Sequence, residues 1–280
     1  AKEKNMIEVG NVYYFIELLI PVIVISVTYH LLKNKTLNFQ YTYLFIWCLL
    51  GFILHFAKQL VYQDISQLSK STAENICAVS TLVFPFIMMI KKKNVLHDFM
   101  FLIGLVGGGA GLLYPTEALG ESLFTFETIR FYFCHMSLLA IPLLLALLNI
   151  REPDLKKWWV MPLLFLAYET IIMLNTALLT FTGLATREGF TPLQLFIDRQ
   201  YLNNSFVFGP TPDMGIVGET IGNMTFPFMK TDIFNLTNGD EFYWPVIWLL
   251  IPSYIIFVPL YTVLALPFRK KHEVMSLEFV

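Results

Sequence analysis

The feature that most constrains this chain is a series of long apolar stretches. Each runs to about 18 or more residues, enough for a helix to cross a bilayer core of about 30 Å. About seven are expected, at 12–32, 41–60, 73–90, 99–116, 129–148, 158–182 and 243–267. The predicted fold class is all-α: a polytopic membrane protein of about seven transmembrane helices, built as a single membrane domain over residues 1–280. Composition agrees, because only 14% of the residues are charged where a soluble domain carries about a quarter.

Several function classes drop out on the same grounds. There is no basic stripe, so nucleic acid is not an expected partner. Cys48, Cys77 and Cys134 all fall in expected spans at no metal-like spacing, so neither a metal site nor a disulfide framework is predicted. Gly104, Gly107, Gly108, Gly109 and Gly111 resemble a phosphate loop only superficially, since no Lys-Ser/Thr comes after them and the run lies inside a span. As Gly104/Gly108 and Gly107/Gly111 they make small-xxx-small pairs that let helices approach closely. No cofactor is predicted. The head Ala1–Gly10 is mixed in charge, unlike a cleavable signal peptide. A transporter of inverted halves would show an even span count and half-to-half similarity, and neither appears.

Charge predicts the orientation. Lys33 and Lys35, Lys91 to Lys93, Arg151 with Lys156 and Lys157, and Arg269 with Lys270 and Lys271 alternate with acidic or mixed loops. The positive-inside rule then puts the N-terminus outside and the C-terminus in the cytoplasm, in the plasma (cytoplasmic) membrane. Acids concentrate on the predicted outer side, among them Glu117, Glu121, Glu127, Asp198, Asp213, Asp232, Asp240 and Glu241. The connection 183–242, polar and rich in Gly, Pro, Asn and Asp, is expected to be an extracytoplasmic loop or lid. Within it, Asp213–Met229 is apolar enough to re-enter or lie on the membrane surface.

At about 1.5 Å per residue, depth can be read from position. Cys77 is expected roughly 6 Å below the outer end of span three, His135 about six residues into span five and Glu17 about five into span one. His55 lies about five residues short of the outer end of span two, with Lys58 one turn above it. Four helices thus bring ionisable groups to one outer layer, with Glu169 and Asn175 of span six deeper, as a floor. Polar groups are costly in hydrocarbon, so such a convergence marks a candidate site.

Cys77 and His135 are the nucleophile and base types for acyl chemistry, because an imidazole beside a thiol raises its thiolate fraction. Glu74 and Ser80 share the Cys77 face at i−3 and i+3. A membrane cysteine otherwise packs as a small apolar group, which is the expectation for Cys48 and Cys134. His135 and His55 have interhelical hydrogen bonding as their structural alternative. Glu17 is expected either to pair with Lys58 or to serve the site, and Arg130 to snorkel to headgroups or bind a lipid phosphate.

Asn75-Ile76-Cys77-Ala78-Val79-Ser80, then the glycine-rich span ending Leu112-Leu113-Tyr114-Pro115, then Phe131-Tyr132-Phe133-Cys134-His135, resembles the YwaF-type integral membrane proteins. That bacterial family is similar to a metazoan transmembrane acyltransferase that remodels ether phospholipids. More distantly, both resemble the androgen-induced-gene/ADTRP lipid hydrolases. The resemblance is best over Phe56–Leu148. It implies a seven-helix fold, an acyl group carried on Cys77 and activation by His135. The expected function is a cysteine-dependent acyltransferase or lipid hydrolase acting on phospholipid acyl chains from the outer leaflet. Cys77 and His135 are its catalytic pair, and Asn75, Glu17, His55, Lys58, Arg130 and Glu169 line the substrate. The rival expectations are a non-catalytic lipid- or solute-binding protein or transporter, and an accessory subunit docking a protein partner through 183–242. Membrane lipids are the partners common to all three.

Overall fold

The computed structural model of the protein describes residues 6–62, 65–184, 190–203, 205–237 and 241–269. Asp240, Lys270 and Lys271 lie outside the described residues. Those described form helices and turns, with no strand beyond an isolated antiparallel bridge between Met6 and Ser122. Among the described residues, seven helical segments are long and apolar enough to cross a membrane: Val12–Leu32, Leu37–Gln59, Leu68–Met89, Val95–Leu113, Phe126–Leu147, Leu155–Phe181 and Ile247–Phe268. The protein is an all-α, multi-pass membrane protein.

The α-helices are α1 Val12–Leu32, α2 Leu37–Tyr62, α3 Ile76–Met89, α4 Val95–Ile103, α5 Gly109–Leu113, α6 Phe126–Leu147, α7 Met161–Phe181, α8 Gly215–Asn223 and α9 Leu250–Ala265. Local capping sets where several begin. Span four starts at Val95, earlier than its hydropathy suggests, because Asn94 accepts from the Leu96 N–H and His97 reaches back to the Asn94 backbone. Span five starts at Phe126 because Thr125 caps the Thr128 N–H at 3.2 Å. In span three the α-helix proper starts at Ile76, after a 3-10 turn over Ile65–Ser71.

The chain packs as two compact units, one of Ala1–Gly51, Phe84–Trp158 and Pro259–Val280, the other of Phe52–Val83 and Trp159–Val258. In the first, α6 is the enclosed helix: 67% of its central window is buried, against 17% for α1. Ile7, Tyr14, Leu112, Ala118, Phe131 and Tyr132 form a core there, and the Tyr14 hydroxyl donates to the Leu113 carbonyl at 2.7 Å. Trp47 Nε1 donates to Ser137 Oγ at 2.8 Å, tying α2 to α6. At the opposite end Asp98 accepts the Asp154 N–H at 2.7 Å, and the Tyr261 hydroxyl donates to the Asp154 carbonyl at 2.9 Å.

Between α4 and α5, Gly104–Gly108 widens into a π turn. A Cβ on Gly104 would lie 2.5 Å from the Leu138 carbonyl oxygen, and one on Gly108 2.7 Å from the Leu139 nitrogen. Only glycine lets the two backbones come this close. The contact row continues at Gly111, three residues beyond Gly108 and so on the same side of the helix.

In the second unit, the expected loop or lid is a packed body. Asn203 holds its centre, donating to the Arg199 and Gly209 carbonyls and accepting the Phe208 N–H. Leu195, Val207, Phe208, Tyr243 and Trp248 are buried, and Trp248 Nε1 donates to the Phe206 carbonyl at 2.9 Å. The α-helical part of Asp213–Met229 is the nine-residue α8. At about 14 Å it is too short to cross a bilayer.

Candidate functional site

The second unit holds Asn75, Cys77, His55, Lys58 and Glu169, and the first holds His135, Glu17 and Arg130. Cys77 is the second residue of α3. Asn75 caps that helix: its Oδ1 accepts the Ala78 N–H at 2.9 Å and its carbonyl accepts the Val79 N–H. This leaves the Asn75 side-chain Nδ2 as the donor available to a substrate. The Cys77 thiol is partly exposed, while Cys48 and Cys134 are buried, Cys134 with its sulfur 3.9 Å from the Gly51 carbonyl. A sulfur in a first helical turn sits at the positive end of the macrodipole, a favourable place for charge developing on it or on a nearby oxyanion.

Just before α3 the structure builds a hydrogen-bonded rim. His55 Nε2 lies 3.2 Å from the Thr72 carbonyl, and Asn175 Nδ2 donates to Thr72 Oγ1 at 2.9 Å. Since a carbonyl only accepts, the His55 bond fixes Nε2 as the protonated nitrogen. Asn175 therefore belongs to the rim at Thr72 rather than to the floor where its sequence depth placed it. Gln59 accepts from Ser71 at 3.3 Å in the same layer, and Lys58 is buried beside it on α2.

Deeper in this unit α7 turns Tyr168, Glu169, Ile172, Thr176 and Thr180 inward. Glu169 is fully enclosed, and among the described residues neither of its oxygens has a hydrogen-bond partner. Ser80 Oγ, one turn along α3 from Cys77, is buried in the same condition. The Tyr168 hydroxyl lies beside Ser80. Burying a polar group without a partner costs on the order of a few kcal/mol, more for a carboxylate. Packing alone would not select a carboxylate here.

In the first unit His135 is held on three sides. Its Nδ1 is 2.9 Å from the Phe131 carbonyl, which can only accept, so Nδ1 carries the proton and Nε2 of the neutral ring is the basic nitrogen. The Phe131 ring tilts against it at a centroid distance of 4.1 Å. Its other edge fills the space that a Cβ on Gly111 would occupy, 2.1 Å from Cδ2 and 2.6 Å from Nε2. The glycine span thus sets the ring position directly.

The two remaining charged candidates are placed differently. Arg130 is buried and donates to Glu127 at 2.8 and 3.1 Å and to Glu117 at 3.1 Å. Two carboxylates already match its one charge, which weakens it as a phosphate ligand. Glu17 is partly exposed on α1, and the Tyr132 hydroxyl lies within its field. Thr72 and Tyr168 lie beside the predicted site residues in the structure without being named from the sequence, which named Ser80 beside Cys77 and Gly111 in the glycine run. The signal for Ser80 and Tyr168 was local: Ser80 lies three residues after Cys77 and Tyr168 adjoins Glu169. A cavity of about 270 Å³ opens elsewhere in the second unit, lined by Arg199, Pro210, Gly218, Glu219, Asn223 and Tyr243. It includes none of the predicted site residues.

No curated protein and no solved structure gives a significant match to the chain. One family model does match, over residues 8–188, which takes in the first six spans together with Cys77, His135 and Glu169 and stops short of the packed connection and the last span. With more than half of its length inside that match, the chain belongs to the TMEM164 family.

Proposed function

We propose that this protein is a cysteine-dependent acyltransferase or lipid hydrolase acting on phospholipid acyl chains from the outer leaflet of the plasma membrane. The observation that carries the reading is the contrast among the thiols. Cys48 and Cys134 are buried, whereas Cys77 is partly exposed at the capped start of α3, in the unit that encloses Glu169, whose oxygens have no hydrogen-bond partner among the described residues. The resemblance of Asn75–Ser80 and Phe131–His135 to lipid-acyl enzymes supports the same chemistry, as does the fixed tautomer of His135.

In the first step the Cys77 thiol gives its proton to a base, the role that the resemblance assigns to His135, and the thiolate attacks an ester carbonyl. The carbon–sulfur bond forms, the ester carbon–oxygen bond breaks, and the proton passes from His135 to the leaving alkoxide. A lysophospholipid departs and a thioester remains on Cys77. In the second step His135 takes the proton of an acceptor hydroxyl, amine or water. The acceptor attacks the thioester, the acyl group leaves sulfur, and the thiol is restored. First-turn N–H groups of α3 and the Asn75 amide would bear on the oxyanion, and Glu169 and Ser80 on the polar part of the lipid.

The test is acyl transfer from a phospholipid with a clickable acyl chain, measured on protein in nanodiscs. Cys77→Ala is expected to abolish it. His135→Ala should slow it by about 10²–10⁴-fold, the usual worth of general-base help. Cys48→Ala should leave it unchanged. Equal activity of Cys77→Ala and the parent would remove the enzyme reading and favour a protein that binds lipid without transforming it.

A further inference from the structure

The connection that precedes the last span carries an inference independent of the Cys77 chemistry. From Thr225 to Trp244 it is tied to the start of that span by two hydrogen bonds through Trp248 and closed on itself by two through Trp244. Thr225 Oγ1 donates to the Trp248 carbonyl at 3.1 Å, and the Trp244 N–H to the Met229 carbonyl at 2.9 Å. Trp244 Nε1 donates to the Thr231 carbonyl at 3.0 Å, and the Trp248 N–H to the Trp244 carbonyl at 3.1 Å. Because the span begins at Ile247, these bonds hold the segment at the depth where the chain enters hydrocarbon.

Over Phe226–Phe234 the segment leaves four apolar side chains exposed, while its two charged residues, Lys230 and Asp232, are taken up by neighbours. Phe226, Phe228, Ile233 and Phe234 are 49%, 66%, 60% and 64% exposed. The Phe226 and Phe228 rings stack on each other, and Phe234 leans on Trp244 at a centroid distance of 6.0 Å. Lys230, which lies between them in sequence, folds back to donate to the Gly222 carbonyl and sit over the Tyr243 ring. Asp232 folds back onto Thr237, accepting from its N–H at 2.7 Å and its hydroxyl at 2.8 Å. A water-facing loop does the reverse. Aromatic side chains at the end of a span, with the charges withdrawn, belong at the boundary between headgroups and acyl chains.

We infer that Phe226, Phe228, Ile233 and Phe234 form an interfacial anchor that dips into the lipid leaflet on the membrane face carrying this connection. Its partner is the bilayer itself. The patch runs through Trp244 into the exposed Ile247 at the start of the span, so it continues the lipid-facing surface of that span. The anchor holds the packed connection against the membrane and sets the height at which its exposed polar side reaches the leaflet.

Spin-label accessibility in proteoliposomes tests this on the full chain. Single labels are placed at Phe228→Cys and Phe234→Cys in a background with Cys48, Cys77 and Cys134 changed to Ala. A control label is placed at Glu219→Cys on the exposed side of α8. Collision with oxygen should exceed collision with a water-soluble nickel chelate at the first two positions, and the order should invert at the control. Phe226→Cys and Ile233→Cys read the same patch if either primary variant is lost on purification. Chelate collisions dominating throughout the patch would mean that it faces water. Exclusion of both reagents would mean that protein covers it. Either result overturns the anchor.

Discussion

Changing Gly111 to alanine places a methyl group inside the His135 ring, and the size of the conflict can be worked from the structure. The new Cβ would stand 2.1 Å from Cδ2, 2.6 Å from Nε2 and 3.0 Å from Cγ. Restoring ordinary carbon contact requires the ring to retreat by about 1.3 Å. It has little room to do so, because Nδ1 is bonded to the Phe131 carbonyl at 2.9 Å and the Phe131 ring flanks it at 4.1 Å. Overpacking of this kind costs about 1–3 kcal/mol, partly offset by about 1 kcal/mol from the better helix propensity of alanine. Function should suffer more than folding, since a misplacement of about 1 Å in a reacting group costs on the order of 10²-fold. Gly109→Ala is the matched control: a Cβ there meets nothing within 4 Å, so only the propensity gain remains. Acyl transfer and thermal midpoint are measured for both variants in nanodiscs. If Gly111→Ala matches Gly109→Ala in both, the ring does not work in the observed position and the glycine span does not set the base.

Two further outcomes are expected. Glu169→Gln keeps the volume and removes the carboxylate from an enclosed position without hydrogen-bond partners. Thermal stability should hold or rise while acyl transfer falls at least about tenfold, because an uncompensated buried carboxyl is a cost to folding; destabilisation with full activity would make Glu169 a structural residue. Cysteines introduced at Glu121 and Asp213 should react with an impermeant reagent added to intact cells, and one at Lys92 should not. Labelling at Lys92 would reverse the proposed orientation and the leaflet that the site serves.

The spans were legible because hydropathy over about 18 residues is a strong signal, and the caps at Asn94, Thr125 and Asn75 are local enough to explain where helices begin. Other features depend on geometry that sequence spacing does not carry. Gly104, Gly108 and Gly111 all press on the helix Phe126–Leu147, and nothing in their spacing says which helix they meet. Half of the Arg130 cluster was readable, since Glu127 lies three residues before it on the helix. Glu117, thirteen residues away across a turn, was not, and it is the second carboxylate that weakens the phosphate role. Asn175 was assigned by depth to a floor, but its side chain reaches Thr72, a residue outside the α-helix of span three. In the connection, composition suggested a polar loop. What the composition averaged away is that Lys230 and Asp232 are taken up by local partners while the phenylalanines beside them stay exposed.

The central claim is that Cys77 carries an acyl group. Protein in nanodiscs containing a phospholipid with an alkyne-tagged acyl chain is trapped with acid, digested and examined by tandem mass spectrometry, with and without neutral hydroxylamine. The predicted result is an adduct of the tagged acyl mass on the peptide containing Cys77, removed by hydroxylamine as a thioester must be, and absent from the peptides containing Cys48 and Cys134. An acyl adduct confined to Cys48 or Cys134, or no adduct under conditions in which the tagged lipid turns over, would contradict it.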